Sequence, residues 1–257
     1  STTFEIIDSF NSTEVYFGDS IEIEPVIFNG TSFKPEVTKV MIHGVELTKD
    51  VHYTVSYGEN TNAGEGTVTI TAIEGSGYTG SKTIRFEIQK ATPLITVSDI
   101  NVEYDGEKHM VTASTVDGLN IAYTDLSGNV FDGATNVGTY TVNINVTGNS
   151  NYTDNSTTAT ITIYEFDIEK FVVGTHILGF VPTKVFETQP IIQPIEIWFA
   201  ETNITEEFTI IHDNNLYPSA VDSPATIKIT ALENTNFTGE ITLEFTITKA
   251  PQQITSS

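Results

Sequence analysis

Cysteine is missing from this chain of 257 residues. Its absence excludes disulfide bonds, thiolate metal sites and cysteine nucleophiles. It is typical of secreted bacterial proteins, whereas animal extracellular domains often use disulfides to compensate for small cores. No apolar run approaches the roughly 18 residues of a membrane span, and Ser1 begins without an initiator methionine or a signal peptide. We therefore expect a processed or excised segment with no membrane insertion of its own.

Positive charge is scarce as well. Lys and Arg together number 11 against 34 Asp and Glu, so the formal net charge is -23, and the acidic residues are spread along the whole chain. A field of that sign repels phosphates and anionic lipid headgroups. Nucleic acid and anionic membranes are therefore poor partners on electrostatic grounds.

Helical patterning is the third absence. Thr, Asn and β-branched residues abound, and apolar and polar residues alternate with a period of two in many short runs. Such composition and alternation are typical of half-buried strands. The sequence therefore predicts an all-β protein.

One pattern recurs three times along the chain, and internal repeats of this kind reveal domain organisation. An Asn-x-Gly turn precedes an alternating run, and an aromatic-Thr pair then leads into a second alternating run. The turns are Asn62-Ala63-Gly64 and Asn136-Val137-Gly138, with Ser223-Pro224 in the third copy, and the aromatic residues are Tyr78, Tyr152 and Phe237. Each copy predicts a β-hairpin whose loop aromatic plugs the end of a core.

The repeats predict three consecutive domains. Residues 1–92 and 165–250 are two long-form units, residues 93–164 are a compact unit, and residues 251–257 begin a linker. We expect small antiparallel β-sandwich, Ig-like domains, because short alternating strands are separated by turn signals. β-Grasp-like units are the alternative.

The junctions recur too. Lys90-Ala91-Thr92-Pro93 follows the first hairpin and Lys249-Ala250-Pro251 follows the third. Short linkers with proline restrict the backbone, so neighbouring repeats are expected to be held roughly end to end. The second linker predicts that a further repeat follows in the parent protein.

Three motifs of the middle unit carry a family resemblance. Tyr104-Asp105-Gly106, Asn136-Val137-Gly138 and Asn151-Tyr152-Thr153 together resemble the MBG and YDG-type tandem repeats of bacterial surface proteins and adhesins. The first unit is similar through Asn62-Ala63-Gly64, and its Tyr16-Phe17-Gly18 is interpreted as a degenerate Tyr-Asp-Gly signature. The resemblance implies an extracellular, cell-surface or wall-attached protein whose repeats act as stalk or adhesive surface, and it carries no catalytic residues.

Signals for catalysis and metal binding are sparse. The five His residues stand at no ligand spacing, and the small units leave little room for a cleft with paired carboxylates. We therefore expect no enzyme activity and no cofactor.

One loop suggests a calcium alternative. Asp125, Ser127, Asn129 and Asp132 place oxygen side chains at nearly alternate positions, as cation cages often do. A hairpin turn at residues 127–129 accounts for the same residues without an ion.

Candidate ligand contacts are aromatic, because sugars stack on flat rings. The candidates are Tyr57, Tyr123, Trp198 and Phe199. Alternation places Trp198 on the same strand face as Glu196, opposite to Ile195 and Ile197. Trp198 is then either an exposed platform or a half-buried packing residue.

The predicted function is a non-catalytic adhesin or stalk segment. Its expected partners are neighbouring repeats of the same chain and surface glycans or extracellular proteins. One alternative is an accessory carbohydrate-binding region of a larger secreted enzyme. Another is a filament subunit that exchanges the strand Thr3-Phe4-Glu5-Ile6-Ile7.

Overall fold

A computed structural model describes residues 8–218 and 223–251. These residues form strands and three short 3-10 helices, with no α-helix in the described ranges, so the predicted all-β class is confirmed. None of the helices in those ranges has the length and apolarity that crossing a bilayer requires. The strand proposed for exchange, residues 3–7, lies outside the described residues.

The first repeat combines a four-stranded sheet with a three-stranded one. Its strands are β1 (Asp8–Ser9), β2 (Glu14–Tyr16), β3 (Val26–Ile27), β4 (Lys39–Ile42), β5 (Val45–Glu46), β6 (Tyr53–Tyr57), β7 (Gly64–Ala72), β8 (Tyr78–Thr79) and β9 (Ser81–Gln89). The sheet orders are β3-β9-β7-β6 and β2-β4-β5, and β1 pairs with β8. Val15 and Val40 of the smaller sheet pack in one core with Ile70 of the larger.

The middle repeat has four strands. They are β10 (Ile100–Glu103), β11 (Asn120–Thr124), β12 (Gly138–Thr147) and β13 (Asn155–Tyr164). They form one sheet in the order β10-β13-β12-β11. This sheet has the order of the larger sheet of the first repeat, without the three-stranded addition.

The third repeat returns to the layout of the first. Its strands are β14 (Phe166–Asp167), β15 (Ile177–Leu178), β16 (Thr183–Val185), β17 (Glu196–Phe199), β18 (Thr202–Asn203), β19 (Phe208–Asp213), β20 (Ala225–Ala231), β21 (Phe237–Thr238) and β22 (Glu240–Thr248). The orders β16-β22-β20-β19, β15-β17-β18 and β14-β21 match those of the first repeat one for one. The internal repeat read from the sequence is therefore a repeat of topology.

Alternating side chains explain why these segments form sheets. In β7 the residues Val68 and Ile70 are fully buried while Thr69 between them is not, and in β20 Ile227 and Ile229 are fully buried in the same way. Burying each such side chain contributes about 1.5–3 kcal/mol to folding. One apolar face per strand is thus enough to fix which side of the sheet faces the core.

The first strand of each four-stranded sheet pairs in parallel with the last strand of its repeat. The parallel pairs are β3 with β9, β10 with β13, and β16 with β22. In the first and third repeats, β9 and β22 also form antiparallel hairpins with β7 and β20. The sequence pattern predicts these hairpins, whereas the parallel pairs join residues about 60 positions apart and leave no local signal.

Residue contacts divide the described chain into two compact units. One unit runs to Thr96 and adds Ala113–Ala122 and Ile144–Thr157, and the other has Val97–Thr112, Tyr123–Asn143 and the residues from Thr158 onward. The residues that join the first repeat to the middle one lie inside the first unit, and those that join the middle repeat to the third lie inside the second. The predicted boundaries of three domains stay a prediction.

Gly66 provides a test of packing in the first sheet. A Cβ atom there would lie 2.7 and 2.8 Å from Cε1 and Cε2 of Phe86, whose ring is 5% exposed and lies across the glycine. We expect Gly66→Ala to destabilise the first repeat by about 1–3 kcal/mol, because the ring has to leave its position. Hydrogen exchange of β7 and β9 amides measures this, with Ser81→Ala as control. Unchanged protection would contradict the packing described here.

Candidate functional site

Two of the predicted ligand aromatics are half-buried in the first and middle repeats. The hydroxyl of Tyr57 donates to the Pro35 carbonyl at 3.0 Å, and its ring packs against the core of the first repeat. The backbone carbonyl of Tyr123 accepts from the Phe131 N–H at 3.1 Å. Both rings are therefore only partly open to a ligand, and their role in binding stays a prediction.

Trp198 lies on the outer face of the sheet β15-β17-β18. Ile195 and Ile197 are buried, whereas Glu196 is exposed and Trp198 is half-buried, as the alternation predicted. The indole Nε1 donates to the Glu196 carboxylate at 3.2 Å, and Asn203 lies opposite Trp198 on β18. The ring is thus held by a neighbouring carboxylate on a face that solvent reaches.

An open depression of about 630 Å³ lies on this part of the third repeat. Its polar lining includes Glu196, Asn203, Thr205 and Glu206. The volume falls within the range of small-molecule sites. Carboxylates and hydroxyls are groups that accept and donate hydrogen bonds to a sugar.

The loop predicted as a calcium alternative forms a closed hairpin turn. Asp125 Oδ1 accepts from the N–H groups of Ser127 and Asn129 at 2.8 and 2.9 Å, and Oδ2 accepts from the Asn129 amide at 3.0 Å. The Asn129 side chain, followed by these backbone donors, lowers the pKa of the Asp125 carboxyl. Both carboxylate oxygens are therefore engaged within the turn.

The fourth residue of that set points elsewhere. Asp132 Oδ2 accepts from Lys108 Nζ at 2.9 Å, and this lysine lowers the pKa of the Asp132 carboxyl. Within residues 8–218 and 223–251 no group of three His, Asp or Glu side chains is arranged to hold a metal ion. Calcium binding at this loop stays a prediction, and the structure does not bring Asp125 and Asp132 together as ligands.

The sequence motifs meet at the junctions between repeats. Asn151 begins the aromatic-Thr loop of the middle repeat, and its Oδ1 accepts from the Ala63 N–H at 2.9 Å. Its Nδ2 donates to Asn62 Oδ1 at 3.0 Å. We call Asn62-Ala63-Gly64 a receiving turn, Asn151-Tyr152-Thr153 a docking loop, and this pair of hydrogen bonds an asparagine clasp.

The junction between the middle and third repeats is built in the same way. Asn236 Oδ1 accepts from the Val137 N–H at 2.9 Å, and Nδ2 donates to Asn136 Oδ1 at 3.3 Å. The receiving turn is Asn136-Val137-Gly138 and the docking loop is Asn236-Phe237-Thr238. The same two atoms of one amide therefore make the same two bonds at both junctions.

Each docking loop also binds the residue through which the chain enters its own repeat, which we call the linker residue: Ala91 for the middle repeat and Phe166, the first residue of β14, for the third. Ala91 donates to the Asn151 carbonyl at 3.0 Å and accepts from the Thr153 N–H at 2.9 Å, while Phe166 donates to the Asn236 carbonyl at 3.0 Å. Both linker residues thus pair in parallel with the docking loop. The docking asparagine joins the linker through its backbone and the preceding repeat through its side chain.

Aromatic rings reinforce the clasps. Tyr152 packs edge-on against Phe28 with ring centroids 5.3 Å apart, and Phe237 packs edge-on against Tyr104 at 5.4 Å. Such pairs contribute about 0.5–1.5 kcal/mol beyond burial. The loop aromatic, predicted as a core plug, therefore also contacts the repeat before it.

The second junction has the larger aromatic contact. Tyr104 stacks on Phe199 with centroids 5.6 Å apart, and Phe199 in turn packs edge-on against Phe237 at 5.3 Å. Burial raises the pKa of the Tyr104 hydroxyl, and the Glu207 carboxylate raises it further. Phe199, considered above as a sugar platform, lies in this aromatic contact.

The Tyr-Asp-Gly signature of the middle repeat is a junction element. Asp105 Oδ1 accepts from the Glu107 N–H at 2.8 Å and contacts His109 Nε2 at 3.0 Å. The hydrogen bond from the Glu107 backbone N–H lowers the pKa of the Asp105 carboxyl, and the His109 side chain lowers it further. A Cβ at Gly106 would lie 2.9 Å from the Ala200 Cβ, and its φ of +81° also favours glycine.

The signature of the first repeat is Phe28-Asn29-Gly30, and the interpretation of Tyr16-Phe17-Gly18 was wrong. Phe28 directly follows β3, and its N–H donates to the Gln89 carbonyl at 2.8 Å. Tyr104 directly follows β10, and its N–H donates to the Tyr164 carbonyl in the same way. Asn29 Oδ1 accepts from the Thr31 N–H at 2.9 Å, which repeats the Asp105 turn. Tyr16 is instead the last residue of β2, which belongs to the smaller sheet.

The outer repeats lack parts of this arrangement. Gly77 stands before Tyr78 where the other docking loops have asparagine. After β16 the third repeat has Phe186-Glu187-Thr188 in place of the signature, although Phe186 still donates to Thr248 at 2.8 Å. Within the described residues, asparagine clasps therefore join the first repeat to the middle one and the middle one to the third.

Comparisons with solved structures find adhesion and Ig-like domains at low identity. The sialic acid binding region of a Streptococcus sanguinis SK1 adhesin is 14% identical with a TM-score of 0.32, and the match covers 79% of this chain and 59% of that one. The insect immune protein hemolin is 13% identical with a TM-score of 0.32, covering 92% and 76%. The I9–I11 tandem from titin is 10% identical with a TM-score of 0.30, covering 93% and 100%. The chain thus spans less than two thirds of the adhesin region.

No curated protein matches the sequence. A protein-family model does match part of it, at residues 94–166, and that family is the MBG domain. The match coincides with the middle repeat, whose three motifs form the junction contacts described above. It confirms that this stretch of the chain is similar to the MBG domain, as the motifs predicted.

Proposed function

We propose that this chain is a non-catalytic segment of a secreted or surface-displayed multidomain protein, in which clasped repeats serve as a stalk that presents adhesive surfaces. The observation that carries the proposal is the asparagine clasp, which occurs at both junctions with the same donors and acceptors. The MBG match at residues 94–166 supports it, since the motifs of that stretch form the contacts between repeats.

The chemistry of the junctions suits a spacer. A protein that only needs connected domains can use a flexible linker, which adopts many conformations. Here the linker residues Ala91 and Phe166 are hydrogen-bonded, and each clasp adds two further bonds. Because each bond contributes about 0.5–1.5 kcal/mol, a clasp contributes about 1–3 kcal/mol toward one arrangement of neighbouring repeats.

The surface charge suits the same role. A net charge of -23 keeps the chain soluble and opposes association of neighbouring copies. Asparagine clasps are uncharged, so the clasp bonds respond little to the salt that screens these surface charges. At the second junction salt weakens the exposed ion pair between Lys170 and Glu103, and the clasp remains.

Removing both clasps tests the spacer function. We expect Asn151→Ala combined with Asn236→Ala to loosen the junctions while each repeat stays folded, because the clasps contact only loops and turns. Small-angle scattering should then show a broader distribution of radii of gyration for the double variant. Asn11→Ala, at an exposed position in the first 3-10 helix, is the matched control. Superimposable scattering curves of the double variant and the unmodified chain would sink the proposal.

A second candidate function is carbohydrate binding on the third repeat. The specific observation is the half-exposed Trp198 ring, fixed by Glu196 and accompanied by a depression lined with Asn203 and Thr205. This arrangement offers both a stacking surface and hydrogen-bonding groups, the two elements of a sugar site. It is compatible with the stalk function, since it uses neither junction.

A glycan array with the fluorescently labelled chain tests this candidate. If the third repeat binds sugar, we expect Trp198→Ala to reduce binding at least tenfold, which corresponds to about 1.4 kcal/mol. Tyr217→Ala removes another exposed ring of the same repeat and serves as control. Absence of saturable binding by the unmodified chain, or equal binding by both variants, would exclude the Trp198 site.

A further inference from the structure

The closing strand pair of each repeat has a geometry that matters under tension. The chain enters each four-stranded sheet through β3, β10 or β16 and leaves it through β9, β13 or β22, and these strands are direct parallel neighbours. Pulling on the two ends of the chain therefore drives the paired strands past each other along their length. All the hydrogen bonds of such a pair carry the load together, whereas a hairpin pulled from its open end loses them one at a time.

The three parallel pairs differ in length. The pair β10-β13 has four residues in register, β16-β22 has three and β3-β9 has two. One backbone bond extends every pair at its far end, from Tyr104, Phe186 or Phe28 to the last strand. The middle repeat therefore has the longest shear-loaded pair.

Side chains lengthen the middle pair further. Asp99 Oδ1 accepts from the Thr160 N–H at 2.7 Å before β10 begins, and the Tyr164 hydroxyl donates to Asn101 Oδ1 at 3.3 Å along the pair. In the third repeat the Thr246 N–H donates to the Pro182 carbonyl at 2.9 Å, and the Thr248 hydroxyl donates to the Lys184 carbonyl at 3.2 Å. Two such bonds therefore support each of the two longer pairs, and the difference between them is the register length.

The outer repeats also have a short parallel pair where the chain enters. β1 pairs with β8 and β14 pairs with β21, each over two residues. These pairs are loaded first, and each has two residues in register, as many as β3-β9 and fewer than β16-β22. They do not change the order set by β3-β9, β16-β22 and β10-β13.

We propose that the repeats bear tensile load, with the middle repeat as the strongest element and the first repeat as the one that yields first. This function rests on the proposed stalk role, because tension reaches the repeats only if the chain links two anchored points. The first repeat then extends under excess load and protects the repeats beyond it. Resistance to force depends on the barrier to unfolding, so the order of rupture can differ from the order of thermal stability.

Single-molecule pulling on the full chain, held at its two ends, tests the proposal. The rupture of the middle repeat is recognised by the smallest gain in contour length, because that repeat is the shortest, and the first repeat is distinguished from the third by the lower rupture force that Gly66→Ala gives it. The expected result is three ruptures, with the first repeat breaking at the lowest force and the middle repeat at the highest. A middle repeat that ruptures first, or three indistinguishable rupture forces, would overturn the proposal.

Two proline variants separate the parallel pair from general stability. Val102→Pro interrupts β10, so the rupture force of the middle repeat should fall below that of the third. Ala122→Pro interrupts the edge strand β11, which the pulling geometry does not load. The rupture force of the middle repeat should therefore fall much less in this variant than in Val102→Pro, even where the two variants lower the melting temperature equally. Equal losses of force in both variants would contradict load-bearing by β10-β13. Neither outcome affects the scattering test of the junctions, so a failed load-bearing function and a failed stalk are distinguishable.

Discussion

The amide of a single asparagine in each docking loop is the interaction on which the arrangement of repeats depends. Asn151 and Asn236 each satisfy a backbone N–H of the preceding repeat with the oxygen and an asparagine side chain with the nitrogen. An amide supplies one acceptor and two donors on a short, neutral side chain, which aspartate and alanine do not. The linker and the aromatic contacts are positioned around this group, so the family motifs are understood best as parts of a junction.

Local patterns in the sequence predicted the hairpin strands and the recurrence of the repeat. The alternation of Ile195 and Ile197 with Glu196 and Trp198 predicted which side chains are buried, because strand geometry places successive residues on opposite faces. The Asn-x-Gly and aromatic-Thr motifs were equally visible. Their partnership was not, since the clasps join residues 88 and 99 positions apart and no pattern within one repeat contains both members.

The signature of the first repeat shows that matching residue types to a motif is not enough to locate it. Tyr16-Phe17-Gly18 shares an aromatic residue and a glycine with Tyr104-Asp105-Gly106, yet Phe28-Asn29-Gly30 has the same position after the first sheet strand and the same side-chain turn. Asparagine and aspartate are equivalent there because either accepts the backbone N–H two residues on. The parallel pairs were not predicted either, because a strand such as β3, with only two residues in register, is too short to show an alternating pattern.

Amide hydrogen exchange at the receiving turns tests the central claim most directly. In the unmodified chain the Ala63 and Val137 N–H groups should be protected, because each donates to a clasp oxygen. Asn151→Ala should accelerate exchange at Ala63 and leave Val137 unchanged, and Asn236→Ala should do the reverse. Exchange rates at both amides that respond to neither substitution would contradict the account, because the turns would then be ordered without the clasps.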